Sequence, residues 1–437
     1  MKQSLTIRML AVGALLAGNA CVAQTLSAPE AKIVSAVDKG NASAESLLET
    51  LVNMNSGTFN LPGVTAVGKA LEQQFQSLGF KTTLVNEDAV KRAPSLLAEH
   101  RGRRGNKRLL LIGHMDTVFE PTHPFQRFER NGNIVKGPGV NDMKGGLVVM
   151  IAGLKALQSA GLLKDANISV FISGDEEAAG DPLESSRKDM IAAAKNADLA
   201  LSFEGVVVHE GLEYASTARR GATQWRLTVK GKAAHSGSIF TKDTGDGAAF
   251  EMSRILAQFH DTLREPNMTY SVGLVLAGSQ IDVQPNGNAS VTGKGNIVPG
   301  EALSIGDLRV LSPDQLTRVE DKMKAIVAAN LPGTQATLTI EQGYPPMAPT
   351  PGNVALLTEL NVVNKSLGSP PMQALDPMLR GAGDVSFIAP FIDALDGMGL
   401  AGDGSHTALE TADLSRLPLQ TKRVALLLHR LSQAKMK

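Results

Sequence analysis

The sequence contains two histidines and four carboxylates placed where such side chains could hold metal ions. Each follows an apolar run or lies in a glycine-rich turn, and in chain order they are His114, Asp142, Glu176, Glu177, Glu204 and His406. Imidazole nitrogens and carboxylate oxygens are ligands that Zn²⁺ takes in proteins, and a catalytic site leaves one position open for water. The chemistry that these residues predict is metal-assisted hydrolysis at two neighbouring ions.

His114 and Asp116 form the first cluster, in the segment Gly-His-Met-Asp-Thr-Val at 113–118. Side chains two residues apart in an extended chain point the same way. Asp116 could therefore accept the second ring N–H of His114 and orient the ring on a metal ion. The alternative is an ordinary surface pair, because a motif this short is unspecific.

Asp142 lies between glycines, in the segment Gly-Pro-Gly-Val-Asn-Asp-Met-Lys-Gly-Gly at 137–146. Glycines permit backbone angles that other residues avoid, so a tight turn could present this carboxylate to two cations at once. The alternative role for Asp142 is to cap the helix that follows. The two roles are compatible.

Glu176 and Glu177 are adjacent carboxylates directly after an apolar run. Two such groups are costly to hold together unless cations or protons neutralise them, so one could bind metal while its neighbour transfers protons. A solvated acidic loop is the alternative. Glu204 also follows an apolar run and is expected at the same edge of the sheet, while His406 ends a glycine-rich loop that begins at residue 399.

Short apolar runs alternate with helical patterns through the first half of the chain. Strands are predicted at 109–113, 168–173 and 199–203, and helices at 145–160 and within 28–83. This alternation predicts an α/β fold, with a mixed, mostly parallel sheet flanked by helices. Ligands bind beyond the carboxyl ends of the strands in such sheets, and the polar clusters follow these strands.

The pattern changes near residue 217. The segment 223–230 alternates with period two, which predicts a strand with one exposed face. Further strands are predicted at 271–277, 289–293, 302–310 and 337–341. Helices are predicted at 248–263 and 313–330. The chain is therefore divided into a first catalytic part at 24–216, an inserted α+β unit at 217–343 and a second catalytic part at 344–437.

The N-terminus has the parts of a secretory signal, which predicts a signal peptide at 1–23. Lys2 and Arg8 precede an apolar stretch that is too short to cross a bilayer of about 30 Å. A periplasmic or secreted protein is expected, without stable membrane insertion after cleavage. The alternatives are a buried N-terminal helix and a lipid anchor at Cys21. Cys21 is the only cysteine, so a cleaved chain would have no disulfide and no thiol nucleophile.

The charges of the chain are balanced, with 43 Lys and Arg residues against 43 Asp and Glu residues among 437. The basic run at 101–104 is short and broken by a glycine, which favours a solvated loop. Binding to nucleic acid is therefore not expected.

In order and spacing, these motifs resemble those of the M20 family of zinc peptidases over nearly the whole mature chain. The resemblance continues through Ser-Phe-Glu at 202–204, Gly-Lys-Ala-Ala-His-Ser-Gly at 231–237 and the late histidine of the loop at 399–406. Within that family the sequence is most similar to bacterial glutamate carboxypeptidase, which also carries a signal peptide and Leu-Ser-Phe-Glu.

The resemblance implies a site with two Zn²⁺ ions per subunit. The implied ligands are His114 and Glu204 for one ion, Glu177 and His406 for the other, and Asp142 between them. Glu176 would be the general base, and Asp116 would orient His114. In this family the position of Glu204 tends to hold Asp in aminopeptidases and Glu in carboxypeptidase-type enzymes.

The same resemblance identifies the inserted unit as a lid that also forms a homodimer. His235 would reach the active site of a partner subunit and stabilise the developing oxyanion there. Asn296 and Arg309 match substrate-binding positions, and the planar guanidinium of Arg309 suits a terminal carboxylate. A salt bridge on the strand surface is the alternative for Arg309.

The function implied is cleavage of the amide bond to a C-terminal amino acid, in a substrate with a free carboxylate. A water held by the two zinc ions would lose a proton to Glu176 and attack the scissile carbonyl. The alternatives within the family are an N-acyl-amino-acid amidohydrolase and a dipeptidase. A metal-dependent binding protein without catalysis is the alternative from another class, and the presence of Glu176 argues against it.

Overall fold

The structure is a computed structural model that describes residues 26–284 and 288–435. The predicted signal peptide at 1–23 lies outside the described residues. Among the helices in the described part of the chain, none has both the length and the apolar character needed to cross a bilayer.

The chain enters its main unit through a long helix whose start is fixed by a capping box. The Glu30 amide donates to the hydroxyl of Ser27, and the Ser27 amide donates to the Glu30 carboxylate, so each side chain satisfies an amide that has no partner in the helix.

The first part of the chain forms α1 (Ala28–Val52), α2 (Leu61–Ser77), β1 (Lys81–Val85), β2 (Ser95–His100), β3 (Arg108–His114), β4 (Glu129–Asn131), β5 (Ile134–Lys136), α3 (Lys144–Ser159), β6 (Asn167–Ser173), α4 (Leu183–Lys195), β7 (Leu199–Ser202), β8 (Val207–His209) and β9 (Leu212–Ala215).

The inserted unit is built on a second, antiparallel sheet. Its elements are β10 (Thr223–Lys230), β11 (Ala234–His235), α5 (Ala248–Thr262), β12 (Thr269–Tyr270), β13 (Leu274–Gly278), β14 (Gln280–Val283), β15 (Ala289–Thr292), β16 (Ile297–Val298), β17 (Glu301–Arg309), α6 (Pro313–Ala328) and β18 (Gln335–Ile340). The sheet order is β12–β17–β10–β18, and β13 also pairs with β17. Helices α5 and α6 cover one face and enclose Trp225, the only tryptophan of the chain, in a core of their own.

The last part of the chain returns to the main unit and completes its sheet. It forms α7 (Pro351–Ser366), β19 (Gln373–Ala374), α8 (Val385–Ile388), β20 (Ala394–Leu395), β21 (Gly402–Asp403), β22 (Thr411–Asp413) and α9 (Leu417–Gln433). The order of the central sheet is β1–β2–β6–β3–β7–β20. Neighbours from β6 to β20 are parallel, whereas β1–β2 and β2–β6 are antiparallel. The prediction of a mixed, mostly parallel sheet flanked by helices is therefore confirmed.

Strand β3 shows why the centre of this sheet is rigid. Leu109 and Leu111 pack into the core beneath α1, α3 and α9, while Leu110 and Ile112 pack into the core on the opposite face. A strand buried on both faces is a continuous apolar run, as the sequence of β3 is. Truncating a fully buried leucine such as Leu111 to alanine costs about 2–5 kcal/mol of stability. Packing of this strength on both faces holds β3 in place, and with it His114, its last residue.

Two details of the sequence prediction differ from the structure. The strand predicted at 271–277 begins only at Leu274 as β13, because residues 271–273 form the connection between β12 and β13. The backbone passes close over Gly306 there, where a Cβ would lie 2.0 Å from the Ser271 carbonyl oxygen. The prediction also omitted α4 and several strands of the main unit, among them β1 and β2, whose sequences are only partly apolar. The unit limits at 216/217 and 343/344 stay predictions.

Candidate metal centre

Three neighbouring parallel strands bring four of the predicted residues to one edge of the sheet. His114 is the last residue of β3, Glu176 and Glu177 follow the end of β6, and Glu204 follows the end of β7. Since β6, β3 and β7 are adjacent and parallel, their carboxyl ends meet at the same edge. The position of these side chains follows directly from the sheet order.

Asp142 joins this edge from the turn before α3. Its Oδ1 lies 3.1 Å from Nε2 of His114, and its Oδ2 lies 3.2 Å from Nε2 of His406. Gly139 in the same turn has a φ of 78°, which glycine adopts without strain. Met143, not Asp142, precedes the first residue of α3, and no side chain among the described residues caps that helix. The predicted role of Asp142 as a helix cap is therefore wrong, and its two oxygens instead face two histidines.

The predicted ligands fall into two groups that share Asp142. One group consists of His114, Asp142 and Glu204, the other of Asp142, Glu177 and His406, and the ligand atoms within each group lie within 4.8 Å of one another. Glu204 Oε1 is 3.7 Å from Nε2 of His114, and Glu177 Oε2 is 3.1 Å from Nε2 of His406. Each group offers one imidazole and two carboxylates, which is a donor set suited to a divalent cation such as zinc.

Asp116 fixes the direction of the His114 ring. The Nδ1 atom of His114 lies 3.2 Å from the backbone carbonyl of Asp116 and 3.3 Å from its carboxylate, which leaves Nε2 facing Asp142. Asp116 also accepts the hydroxyl of Thr58 at 2.7 Å and the amides of Glu176 and Glu177 at 3.0 Å each. His114 is 1% exposed and Asp116 is 0% exposed, so the alternative of a surface pair is wrong.

Glu410 supports the turn of Asp142, and no pattern in the sequence indicates this role. Its buried carboxylate accepts the backbone amides of Gly139, Asn141 and Asp142 at 3.1, 2.8 and 2.9 Å. Burial raises the pKa of Glu410 to about 7, although these amides act in the opposite direction. Glu410 lies just before β22 in an ordinary polar segment, so only the folded chain reveals its contact with the turn.

The electrostatics of the centre favour cations. Burial raises the pKa of Glu176 well above its usual range, and nearby carboxylates add to the effect while His114 opposes it. Burial and the neighbouring Asp142 raise the pKa of Glu204 to about 7. Burial also opposes ionisation of Asp142, but its hydrogen bonds with His114 and His406 more than offset this and lower its pKa. The site concentrates more carboxylates than its two histidines can neutralise, and two divalent cations fit that excess.

Two arginines that were not predicted lie beside Glu204. Arg219 Nη1 is 4.0 Å and Arg380 Nη2 is 3.6 Å from the Glu204 carboxylate. Both also approach the buried carboxylate of Asp396, at 3.0 and 3.6 Å. A cavity of about 720 Å³ opens here, and Glu176, Glu204 and both arginines line it. Asp396 can neutralise only one of the two guanidinium charges. If Glu204 binds a cation, the second guanidinium charge in the cavity wall is left for an anionic group of a ligand.

The candidate residues of the inserted unit lie apart from these ligands. His235 is exposed on β11, where its Nδ1 accepts the amide of Gly237 at 3.1 Å. Asn296 precedes β16, and its carbonyl accepts the amide of Ser236 at 3.0 Å. Neither His235 nor Asn296 is among the described residues that line the cavity.

Arg309, at the end of β17, is nearer to the cavity. Its Nη1 would lie 3.8 Å from a Cβ placed on Gly381, a residue of the cavity wall. Its Nε is paired with Asp307 at 2.8 Å, with side chains 37% and 44% exposed, so the strand-surface salt bridge is also present. Exposed pairs of this kind contribute little to stability, and a ligand carboxylate could replace Asp307 at low cost.

Known proteins match this chain over most of its length. Residues 110–430 match the family model described as Peptidase family M20/M25/M40. The chain is 28% identical over 397 residues to carboxypeptidase G2 of Pseudomonas sp. (strain RS-16), with 89% of each chain covered. It is 24% identical over 411 residues to the succinyl-diaminopimelate desuccinylase of Gluconacetobacter diazotrophicus, with 91% of this chain and 100% of that protein covered.

Solved structures share the fold. The crystal structure of aminopeptidase PepT from Bacillus cereus superposes with a TM-score of 0.70 at 17% identity, over 90% of this chain and 98% of that chain. At this level of identity the likeness concerns the arrangement of the sheet, the helices and the inserted unit.

Proposed function

The chain belongs to peptidase family M20/M25/M40, which confirms the resemblance seen in its motifs, and we propose that this metallopeptidase releases a C-terminal amino acid by cleaving the amide bond next to a free carboxylate. One observation carries this proposal: Asp142 is shared between two ligand groups beside a cavity that Glu176 and two arginines line. The similarity to carboxypeptidase G2 supports the same direction.

Two zinc ions per subunit are the proposed cofactors. His114, Glu204, Glu177 and His406 would bind them, with Asp142 in contact with both, because each group offers one imidazole and two carboxylates. When bound, the ions would polarise the scissile carbonyl and lower the pKa of a water from 15.7 to about 7.

Glu176 is the proposed general base. Its carboxylate lines the cavity, and no hydrogen bond or ion pair to it is found within the described residues. A raised pKa suits a group that must take a proton from water and then deliver it to the leaving amine. Glu177, the adjacent carboxylate, faces His406 instead, so the two neighbours have different partners and different proposed roles.

The substrate is proposed to carry a carboxylate beside the scissile bond. Arg309 would bind it through two parallel hydrogen bonds, and the surplus positive charge of Arg219 and Arg380 would favour any anionic substrate. Asn296 and His235 would act from the inserted unit of a partner subunit, with His235 donating to the oxyanion. The His235 ring supports this role, because Nδ1 accepts from Gly237 and a neutral ring then carries its proton on Nε2.

A second candidate function is removal of an N-acyl group such as succinyl from an amino acid. The similarity to a succinyl-diaminopimelate desuccinylase along the whole of that protein favours it. Both candidate reactions hydrolyse an amide next to a carboxylate, and they differ in which half of the substrate the cavity selects. For either reaction we propose an exported protein in the periplasm or outside the cell, on the basis of the N-terminal sequence.

The test is hydrolysis of dipeptides, N-acyl amino acids and N-succinyl amino acids by the zinc-loaded protein, each with a control substrate whose carboxylate is amidated. We expect turnover of the free acids, loss of turnover on amidation, and a KM increase of about 10- to 100-fold in Arg309→Ala, the loss expected for a charge-assisted bidentate contact. Preference for succinyl substrates would favour the second candidate. Equal turnover of acids and amides would contradict the proposed carboxylate recognition.

A further inference from the structure

The chain crosses between the main unit and the inserted unit twice, and the two crossing segments pair with each other. Arg219 and Met347 form two backbone hydrogen bonds, of 3.0 and 2.9 Å, and Ala222 pairs with Tyr344. Tyr344 therefore lies on the segment through which the chain returns to the main unit. Its ring contacts Phe387 edge to face, with ring centroids 4.8 Å apart.

The Tyr344 hydroxyl reaches the turn that carries Glu176. It donates to the backbone carbonyl of Glu176 at 2.7 Å and accepts from Nη2 of Arg187 at 3.1 Å. Burial raises the pKa of the Tyr344 phenol, so the hydroxyl keeps its proton and remains a donor. Arg187 is fully buried and paired with Asp175 at 2.7 Å and with Asp384 at 2.8 Å, which holds the acceptor side of the hydroxyl in place.

The turn at Glu176 is thus held from two sides. On one side Asp116 accepts the amides of Glu176 and Glu177. On the other side Tyr344 donates to the carbonyl of Glu176. Within the described residues the Glu176 carboxylate has no hydrogen bond of its own, so its direction depends on the backbone of this turn.

We propose that Tyr344 is a positioning residue for hydrolysis, whose hydroxyl fixes the Glu176 backbone so that the carboxylate faces the cavity. This inference rests on the proposed function, in which Glu176 transfers the proton. Tyr344 itself does not line the cavity among the described residues. Its loss should therefore slow the chemical step and leave substrate binding unchanged.

Tyr344→Phe tests this, because it removes the hydroxyl and keeps the ring against Phe387. We expect kcat to fall about 10- to 100-fold, since misplacing a reacting group by a fraction of an ångström to 1 Å has effects of this size, while KM changes less than about twofold. Bound metal should stay at the wild-type amount. Tyr270→Phe, in the sheet of the inserted unit, is the matched control and should leave kcat unchanged.

A double mutant shows whether Tyr344 acts through Glu176. In Glu176→Asp the carboxylate is already displaced by one methylene, so adding Tyr344→Phe should lower kcat by less than about threefold, because residues that act as a unit are not additive. The same loss in both backgrounds would overturn the proposal. So would a wild-type kcat in Tyr344→Phe.

Hydrogen exchange separates this inference from the proposed function, because it requires no turnover. Tyr344→Phe should increase exchange in a peptide spanning 174–180 and leave the 223–230 strand unchanged, since the hydroxyl contacts this turn and Arg187 but not that strand. If the wild type hydrolyses none of the substrates but exchange still increases at 174–180, the proposed function fails and the contact stands. If the wild type is active and the variant changes neither kcat nor exchange, the inference about Tyr344 fails alone.

Discussion

The candidate metal centre of the main unit and the candidate residues of the inserted unit differ in how they are held. In the metal centre, Asp116 orients His114 and Glu410 holds the turn of Asp142, both from buried positions. In the inserted unit, His235 is exposed and its ring contacts only the amide of Gly237 two residues away, as far as the described residues show. The candidate metal ligands are thus held in place by buried residues of their own chain, whereas the ring of His235 is exposed to solvent.

The difference follows from the cost of burying polar groups. A buried carboxylate must be paired or bind a cation, so the folded main unit necessarily surrounds its ligands with partners. An exposed imidazole has no such requirement, and its position is set only when another surface covers it. We therefore propose that the main unit can bind metal on its own, and that His235 takes its proposed role only after a second subunit or a closing movement brings it to the cavity.

Glu176→Gln should have the largest effect and separates chemistry from metal binding. The substitution keeps the size of the side chain and removes its ability to take a proton, so we expect kcat to fall by about 10³-fold or more, near the upper range for general-base catalysis. Metal content, measured by plasma emission spectroscopy, should stay at two ions per chain. Asp142→Asn is the counterpart, since it should lose both metal and activity. Retention of two ions in Asp142→Asn would contradict the shared role of Asp142.

His235→Ala should reduce kcat by about 10²- to 10³-fold, as expected for loss of one oxyanion donor. The reduction should occur without any change in metal content, because His235 lies outside both ligand groups. A second experiment mixes the variant with an equal amount of Glu176→Gln under conditions that exchange subunits. If His235 acts in the partner's site, half of the subunit pairs are mixed and each has one intact site, which restores about a quarter of wild-type activity.

No restoration on mixing, with subunit exchange verified by mass spectrometry, would place the action of His235 within its own chain. A monomer that remains fully active at every concentration would exclude the shared site altogether. Either result would remove the distinction drawn between the two regions.

Glu410→Gln tests how much of the metal affinity comes from residues that touch no metal. In the wild type, the backbone amides of Gly139, Asn141 and Asp142 donate to the Glu410 carboxylate. The side-chain amide of glutamine would present its own donor hydrogens to these donors. We expect zinc affinity to fall about 10- to 100-fold, the usual effect of losing a partner behind the ligands. Competition with a chromogenic chelator measures this. Glu359→Gln, on the exposed face of α7, is the control, and an equal affinity in both variants would show that the turn organises itself.

The grouping of the candidate ligands could be predicted from the sequence because their positions follow from local patterns. Apolar runs mark the strands, and His114, Glu177 and Glu204 come directly after such runs or end them. Glu410 and Tyr344 could not be predicted in this way. Glu410 meets Asp142 across 268 residues of chain, and Tyr344 meets Glu176 across 168, so their contacts exist only after the last part of the chain has joined the sheet. The zinc identity, the dimer and the signal peptide stay predictions.

The smallest effect is expected for Glu87, a buried carboxylate that belongs to neither metal-ligand group. It is 3% exposed, and its Oε1 has no hydrogen-bond partner in the described part of the chain. Burial, followed by repulsion from Asp175, raises the pKa of Glu87 from 4.5 to about 7. Because the folded state then holds its proton more tightly than the unfolded state, Glu87 costs nothing below pH 4.5, and its penalty develops as the pH rises towards 7.

Glu87→Gln should therefore match the wild type in urea unfolding at pH 4 and exceed its free energy of unfolding at pH 8 by about 1–3 kcal/mol, the range that a shift of this size permits. The gain should leave kcat and metal content unchanged, unlike the loss of a carboxylate at the metal centre. The measurement therefore separates two kinds of buried carboxylate: Glu204, whose proposed role is to bind a cation, and Glu87, whose burial is expected only to lower stability. A stability difference of equal size at both pH values would mean that packing, not charge, determines the effect.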